Sequence, residues 1–269
     1  MTVMKAIFAP LCFLLCWMLP VDSMTIRFNF TVRDAVPSIP LSMVEDSVDD
    51  MYFGCKDAMM KIVKYKYIKE EKHIRPFADV WSEAEKCAKK KLKHTKHMAL
   101  TKDHIKAICA YTSDKLYRPF NTAVRTEKSI YGSSFQFHSL HFLLTSAIQI
   151  LNSKYYCHTT YRRASVRFTG KVHQIIRFGS FASSSYSTDL TNFGNETCFK
   201  IKTCSGASLK SYSMYDDEEE VLIPPYEMFK ITEIINGKVN IQGLNDCKVV
   251  YVLESAGVRS NLNCKLLDP

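Results

Sequence analysis

Residues 134–152 read SFQFHSLHFLLTSAIQILN, and two residues further on 155–161 read YYCHTTY. The first stretch is long, apolar and free of Pro and Gly, which suits a buried helix. The second is short and rich in Thr and Tyr, which suits a strand. The period of the chain changes at this junction. Upstream, Val80, Trp81, Ala84, Cys87 and Ala88 fall on one helical face within 79–93. Acids before position 51 and lysines after 60 complement the dipole of a helix between them. Thr101 is placed to cap a helix running to about Tyr117, with Pro119 stopping it. Downstream, β-rich runs recur at 155–161, 165–169, 174–186, 198–204, 219–223, 228–235, 238–242 and 247–253. Asn236-Gly237 predicts a hairpin turn between two of them. Helices first and strands after predict an α+β fold. Without an internal repeat or a Pro/Gly/Ser linker, one domain is expected.

The chain has 269 residues and a net charge of 36 − 27 = +9. A hydrophobic content of 46% and an aromatic content of 12% exclude a disordered chain. Lys5, the apolar run Ala6–Pro20, and Val21 and Ser23 before a cleavage point predict a signal peptide over 1–23 and a mature chain of 24–269. Beyond it, no stretch reaches the roughly 20 apolar residues of a membrane span. Eight cysteines follow the signal, an even number that suits an oxidising compartment. Asn29 and Asn195 head glycosylation sequons. The ending NCKLLDP lacks the hydrophobic tail of a lipid-anchor signal, so a secreted protein is expected. Residues 61–100 hold twelve Lys/Arg against five Asp/Glu, or +7 of the total. A nucleic-acid partner would require stacking aromatics and an intracellular address, and is not expected. The plainest reading of this charge is a solvated helix face, and the alternative is attraction to anionic cell-surface polymers or acidic targets.

Short motifs contribute little. Gly170-Lys171 lacks the rest of a phosphate-binding loop, and no GxGxxG follows a strand. His138 and His141 have no third ligand, so no metal is expected and both read as core histidines. Cys87 and Cys109 lie on apolar helical faces and read as packed or disulfide-bonded.

Three later segments are less easily read as core. In CHTTYRR (157–163), Arg162 ends an apolar, Thr-rich strand. In RFGSFASSSY (177–186), alternation puts Phe181, Ser183 and Ser185 on one face. In DDEEEVLIPP (216–225), five acids abut an apolar strand, and their mutual repulsion is costly unless cations or chemistry use it, the plainer alternative being a solvated acidic turn. In an extended chain Glu218 and Glu220 share a face about 7 Å apart, so that both address one ligand. Arg, then Ser, then Glu-x-Glu on successive strands resembles the vertebrate ecto-ADP-ribosyltransferases, the arginine-specific mono-ADP-ribosyltransferases. Further similar segments are SVDDMYFGC (47–55), LTKDHIKAICAYT (100–112), YRPFNTAVR (117–125) and FHSLHFLLTSAIQIL (137–151). The resemblance covers roughly 40–266.

The resemblance implies a helical region followed by a two-sheet β core, with NAD as substrate and no metal. It implies transfer of ADP-ribose to arginines of cell-surface or secreted proteins. Arg162 matches the arginine that holds an NAD phosphate, and Ser183 the serine that orients the glutamate and the nicotinamide ribose. Glu220 matches the catalytic glutamate, and Glu218 the acid that orients the acceptor arginine. Phe181 would line the nicotinamide side of the pocket. Both glutamates are expected at an exposed cleft edge. Many members have Gly after the motif arginine, so Arg163 threatens to crowd the pocket. The resemblance also implies Cys55–Cys264 and Cys157–Cys204 disulfides, leaving Cys87, Cys109, Cys198 and Cys247 unassigned. NAD hydrolysis on the same site, and an inert secreted binding glycoprotein, are the alternatives. Secretion predicts a mature N-terminus near Met24, and intact mass of secreted material that retained 1–23 would contradict it.

Overall fold

The computed structural model describes residues 38–93, 99–113, 115–209, 212–237 and 240–267, so the expected signal segment and Asn29 lie outside the described residues. After a short strand β1 (Ser38–Pro40), α1 (Lys56–Ile62) continues through a π-helical turn at Val63–Tyr67 into α2 (Ile68–Glu71). Next come α3 (Phe77–Leu92), α4 (Lys102–Tyr111), α5 (Tyr117–Thr126) and α6 (His138–Leu151). The apolar face expected on α3 is buried through Val80, Trp81, Ala84 and Ala88. Thr101 does cap α4: its hydroxyl accepts from the His104 amide, and His104 Nδ1 accepts from the Thr101 amide at 3.0 Å. That helix ends at Tyr111, short of the expected Tyr117. Pro119 starts rather than stops a helix, lying in the first turn of α5, where its missing N–H leaves no ladder bond unmade.

The strands are β2 (His158–Ala164), β3 (Arg167–Thr169), β4 (Ile175–Ile176), β5 (Ala182–Ser185), β6 (Thr197–Thr203), β7 (Ala207–Ser208), β8 (Glu220–Ile223), β9 (Glu227–Asn236) and β10 (Val249–Val258). The 174–186 run breaks into β4 and β5 because Arg177 turns inward. Its guanidinium pairs with Asp49 at 2.6 Å and donates to the carbonyls of Met43, Val44 and Arg259. Gly179 then takes φ +69°, and a Cβ there would lie 2.4 Å from the Val44 side chain. Asn236-Gly237 ends β9 but makes no two-residue turn. Asn236 is opposite Val249, and the chain between them makes an excursion pinned by the Cys198–Cys247 disulfide. Residues 240–242 are not a strand, contrary to expectation.

Eight strands run in the order β4-β9-β10-β6-β2-β5-β8-β7, and β1 pairs with β3 separately. β2 meets β6 over seven residue pairs but β5 only at Tyr161–Ser185. The ladder therefore bends there into two limbs. Ala182 and Ile223 of the short limb share a core with Phe199, Ile201, Phe229 and Leu253 of the long one. Phe181, Ala207 and Leu222 face the other way, into the helical core. This is the physical form of the two β layers. Four disulfides join Cys55 to Cys264, Cys87 to Cys109, Cys157 to Cys204 and Cys198 to Cys247.

His138 and His141 are core residues, as expected, and His141 ends a buried polar chain. His141 Nε2 donates to the Val48 carbonyl at 2.9 Å, which fixes its tautomer. Nδ1 then accepts from the Tyr52 hydroxyl at 2.8 Å. Tyr52 and Tyr131 hydroxyls lie 3.0 Å apart, and Tyr131 lies 2.9 Å from Asp50 Oδ2. If Asp50 is ionised, Tyr131 donates to it and no proton remains for the contact between the two tyrosines. If Asp50 is protonated, every contact holds one proton. Burial correspondingly raises the Asp50 pKa from 3.8 to about 6. A raised folded-state pKa means that this stabilisation is full below pH 3.8 and is lost as pH rises through about 6. Asp50→Asn reproduces the protonated pattern at every pH: its carbonyl accepts from the Tyr52 and Cys264 amides, and its amide donates to Tyr131. Buried His104 and His141, whose pKa values are lowered to about 4 and about 3, act in the opposite sense but equally in both proteins. The stability of Asp50→Asn relative to wild type is expected to rise between pH 4 and 8 by up to about 3 kcal/mol. A pH-independent difference in denaturant unfolding would contradict the protonated chain.

Candidate active site

The bend between the limbs gathers the residues singled out in the sequence. Ser185 is opposite Tyr161 on one side and Glu220 on the other, so β2, β5 and β8 deliver Arg162, Ser183 and Glu220 to one place. The Arg162 guanidinium donates to the Ser183 carbonyl at 2.5 Å. The Ser183 hydroxyl hydrogen-bonds the Glu220 carboxylate, and Ser213 Oγ donates to Glu220 Oε2 at 3.2 Å. Arg162, Ser183 and Glu220 are 2%, 0% and 3% exposed. Glu220 is thus buried and not at an exposed edge. Burial raises its pKa above 4.5, while Ser183, Ser213 and the Arg162 charge oppose that rise.

Glu218 is placed differently from the extended-strand expectation. Asp216–Glu218 form a 3₁₀ turn, and Glu219 takes φ +45° before β8 begins. This turn gives Glu218 and Glu220 different backbone settings, so they do not share a strand face. Glu218 is half-buried, and its carbonyl accepts from Ser185 Oγ at 2.6 Å. Phe181 lies just before β5. It shares the helix-facing side of β5 with Ser183, as alternation requires, but its ring is 1% exposed and stacks on Phe120 at 5.4 Å. It supports the site from within the core.

Arg163 does not crowd Arg162. Successive strand residues point to opposite faces. On the far face Arg163 makes a bidentate pair with Asp246 at 2.9 and 3.0 Å and donates to the carbonyls of Gly243 and Thr188. It anchors the excursion between β9 and β10.

The helical layer adds residues that motif reading missed. The Tyr111 hydroxyl, at the end of α4, donates to the Phe181 carbonyl at 3.2 Å and lies 3.4 Å from Ser183 Oγ. Arg125, on α5, donates to Ser180 Oγ at 2.6 Å. Its pKa is lowered first by burial, and the nearby Arg162 charge lowers it further. Tyr111 and Arg125 lie in segments that carried the resemblance, so signal for them existed. Ser213 precedes β8 in irregular chain and has no comparable signal. A separate cavity of about 330 Å³, lined by Met51, Lys56, Gln149, Asn152 and Tyr226 among others, shares no residue with this cluster. Among the described residues no three His, Cys, Asp or Glu are grouped to hold a metal.

The mono-ADP-ribosyltransferase ART2.2 has the same fold, with a TM-score of 0.73 and 30% identity over 84% of this chain and 98% of that one. A mutant of ART2.2 in complex with NAD gives a TM-score of 0.69 at 31% identity, with the same coverage. The family model for NAD:arginine ADP-ribosyltransferase matches residues 41–247, and the chain belongs to that family. It is 35% identical over 240 residues to NAD(P)(+)--arginine ADP-ribosyltransferase 2 of Gallus gallus, covering 86% of this chain and 74% of that protein. It is likewise 35% identical over 212 residues to ecto-ADP-ribosyltransferase 5 of Mus musculus, covering 74% and 69%. The protein is therefore an arginine-specific mono-ADP-ribosyltransferase that uses NAD as substrate.

Arg163→Ala is expected to cost about 1–3 kcal/mol of stability, through lost charge-assisted hydrogen bonds to partly exposed acceptors. The KM for NAD should be unchanged. A raised KM with unchanged unfolding would place Arg163 in the substrate site instead.

Proposed function

We propose that the protein transfers one ADP-ribose from NAD to arginine side chains of extracellular proteins and releases nicotinamide. The observation that supports this most is the convergence of Arg162, Ser183 and Glu220 in one buried cluster. Residues 24–269 would serve as a single catalytic domain, and secretion is its proposed route.

The bond from nicotinamide N1 to ribose C1′ breaks, and its electron pair returns to the ring. The ribose passes through an oxocarbenium-like transition state, as in glycoside cleavage. Glu220 stabilises that charge and accepts from the ribose 2′-hydroxyl. Ser183 and Ser213 orient Glu220, and Tyr111 holds the β5 strand beneath it. Arg162 holds the diphosphate, and Arg125, whose own pKa is lowered by burial and by the Arg162 charge, presents the second cation. Two neighbouring buried guanidiniums repel each other, and an anion between them relieves that cost. A guanidine nitrogen of the acceptor attacks C1′, and Glu218 orients it and takes the proton lost as the bond forms. Water in place of arginine gives NAD hydrolysis. The same cluster serves both reactions, and Glu218 favours arginine. An inert binding protein is disfavoured because Arg162, Ser183 and Glu220 are all in place.

Glu220→Gln is expected to lower both agmatine labelling and NAD hydrolysis by on the order of 10²–10³. Glu218→Gln should depress labelling much more than hydrolysis. Because Glu220 acts as the anion and its pKa is raised, wild-type activity should fall with acidification through a pKa above 4.5. Circular dichroism controls for folding, since Glu220 is buried. Near-wild-type labelling by a folded Glu220→Gln would refute the mechanism, and equal losses in Glu218→Gln would refute the division of labour.

A further inference from the structure

Of the twelve Lys/Arg in 61–100, six precede α3 and six fall on its C-terminal half or just beyond it, where Lys102 and Lys106 of α4 add to them. Lys86, Lys89, Lys90 and Lys93 follow i, i+3, i+4, i+7 spacing on the face of α3 opposite its buried residues, and all are exposed. The stripe is about 10 Å long at helical rise. Beside it Glu85 meets three ammonium groups: Lys89 at 3.5 Å, Lys106 at 3.2 Å, and Lys102. Hydrogen bonds from Lys102 and then Lys106 hold the Glu85 pKa at about 2. The four α3 lysines with Lys102 and Lys106, set against Glu85 and Asp103, leave a local charge of 6 − 2 = +4. Further up α3 the charges are balanced, with Arg75 paired to Asp79 and Glu83 to Lys115. The Cys87–Cys109 disulfide fixes α3 to α4, so the two sets of lysines keep their spacing. Complementing the helix dipole accounts for one or two cations in the last turn of α3. It does not account for Lys86, which is further from that end, or for Lys102 at the opposite pole of the next helix.

We propose that this face of α3 and α4 is a docking surface for a linear sulfated polysaccharide. A polymer carrying sulfates at intervals along its length matches a straight row of point charges. Neither a nucleic acid nor a membrane matches it as well. Stacking on bases needs an open aromatic face. The nearby Trp81 is buried, stacked on Phe77 and covered by Lys106 at 4.6 Å. A membrane-surface helix needs apolar residues to immerse. Those of α3 are in the core, leaving Leu92 at 41% exposure. The surface would retain the enzyme in a polysaccharide matrix near its protein targets, and it does not depend on the catalytic reading above.

The test uses the intact secreted protein and immobilised heparin as probe. Substituting Lys86, Lys89, Lys90 and Lys93 together by Gln should weaken binding at least about tenfold near physiological salt. It should lower the slope of log Kd against log salt by about three. Agmatine labelling should be unchanged. A control replacing the exposed Lys154, Lys171, Lys202 and Lys230 by Gln removes the same net charge and should bind like wild type. In wild-type protein, heparin should protect the four α3 lysines from acetylation, a readout that does not require the variant to fold. Equal losses in both variants, unprotected α3 lysines, or equal competition by duplex DNA or phosphatidylserine vesicles at matched charge would overturn the proposal.

Discussion

The structure depends on the single residue pair Tyr161–Ser185, the only ladder contact between β2 and β5 among the described residues. A longer ladder would hold the strands flat and cover Arg162 with a continuous sheet. A bend after one pair lets the limbs fold toward each other around Phe199, Ile201, Ala182 and Ile223. The helix-facing side of the short limb can then carry Ser183 and Glu220, while Arg162 reaches the Ser183 carbonyl across the bend. Disulfides hold the strands on either side, with Cys157–Cys204 at one end of the β2–β6 pair and Cys198–Cys247 near the other. Arg163 braces the far face through Asp246.

The price of this arrangement is the burial of several charges. Desolvation of a carboxylate or guanidinium is costly unless hydrogen bonds compensate. Arg177 and Asp49 solve the problem as a closed pair, with neither side chain exposed, and so serve structure. Glu220 is solved less completely. Two hydroxyls and a nearby guanidinium stabilise it, yet burial still raises its pKa. Arg125 is burdened by a like charge nearby. Groups left electrostatically unfinished in the free protein fit a site completed by a substrate with a cationic ring and an anionic diphosphate.

Much of this was legible in the residues. The change of period after Asn152, the Thr101 cap and the buried face of α3 followed from local pattern. The convergence of Arg162, Ser183 and Glu220 was legible only through resemblance, because register across β2, β5 and β8 is a tertiary property. Local rules misled where long-range contacts prevailed. Asn236-Gly237 suggested a tight hairpin, but the Cys198–Cys247 disulfide and Arg163 hold a longer excursion. Pro119 looked like a terminator because its place in a new helix depends on the break after Tyr111. Glu218 and Glu220 looked co-facial because the left-handed Glu219 leaves no sequence signal in a run of identical acids. Arg163 looked obstructive until strand alternation was combined with a partner more than 80 residues away.

The central claim is that the bend between β2 and β5 is where NAD is held and cleaved. A crystal structure of the Glu220→Gln variant with NAD tests it most directly, since slowed turnover preserves the dinucleotide. The account predicts the diphosphate between Arg162 and Arg125, and the nicotinamide ribose 2′-hydroxyl within hydrogen-bond distance of residue 220. Dinucleotide bound instead in the cavity beside Met51 and Tyr226, with the Arg162 cluster unchanged, would contradict it.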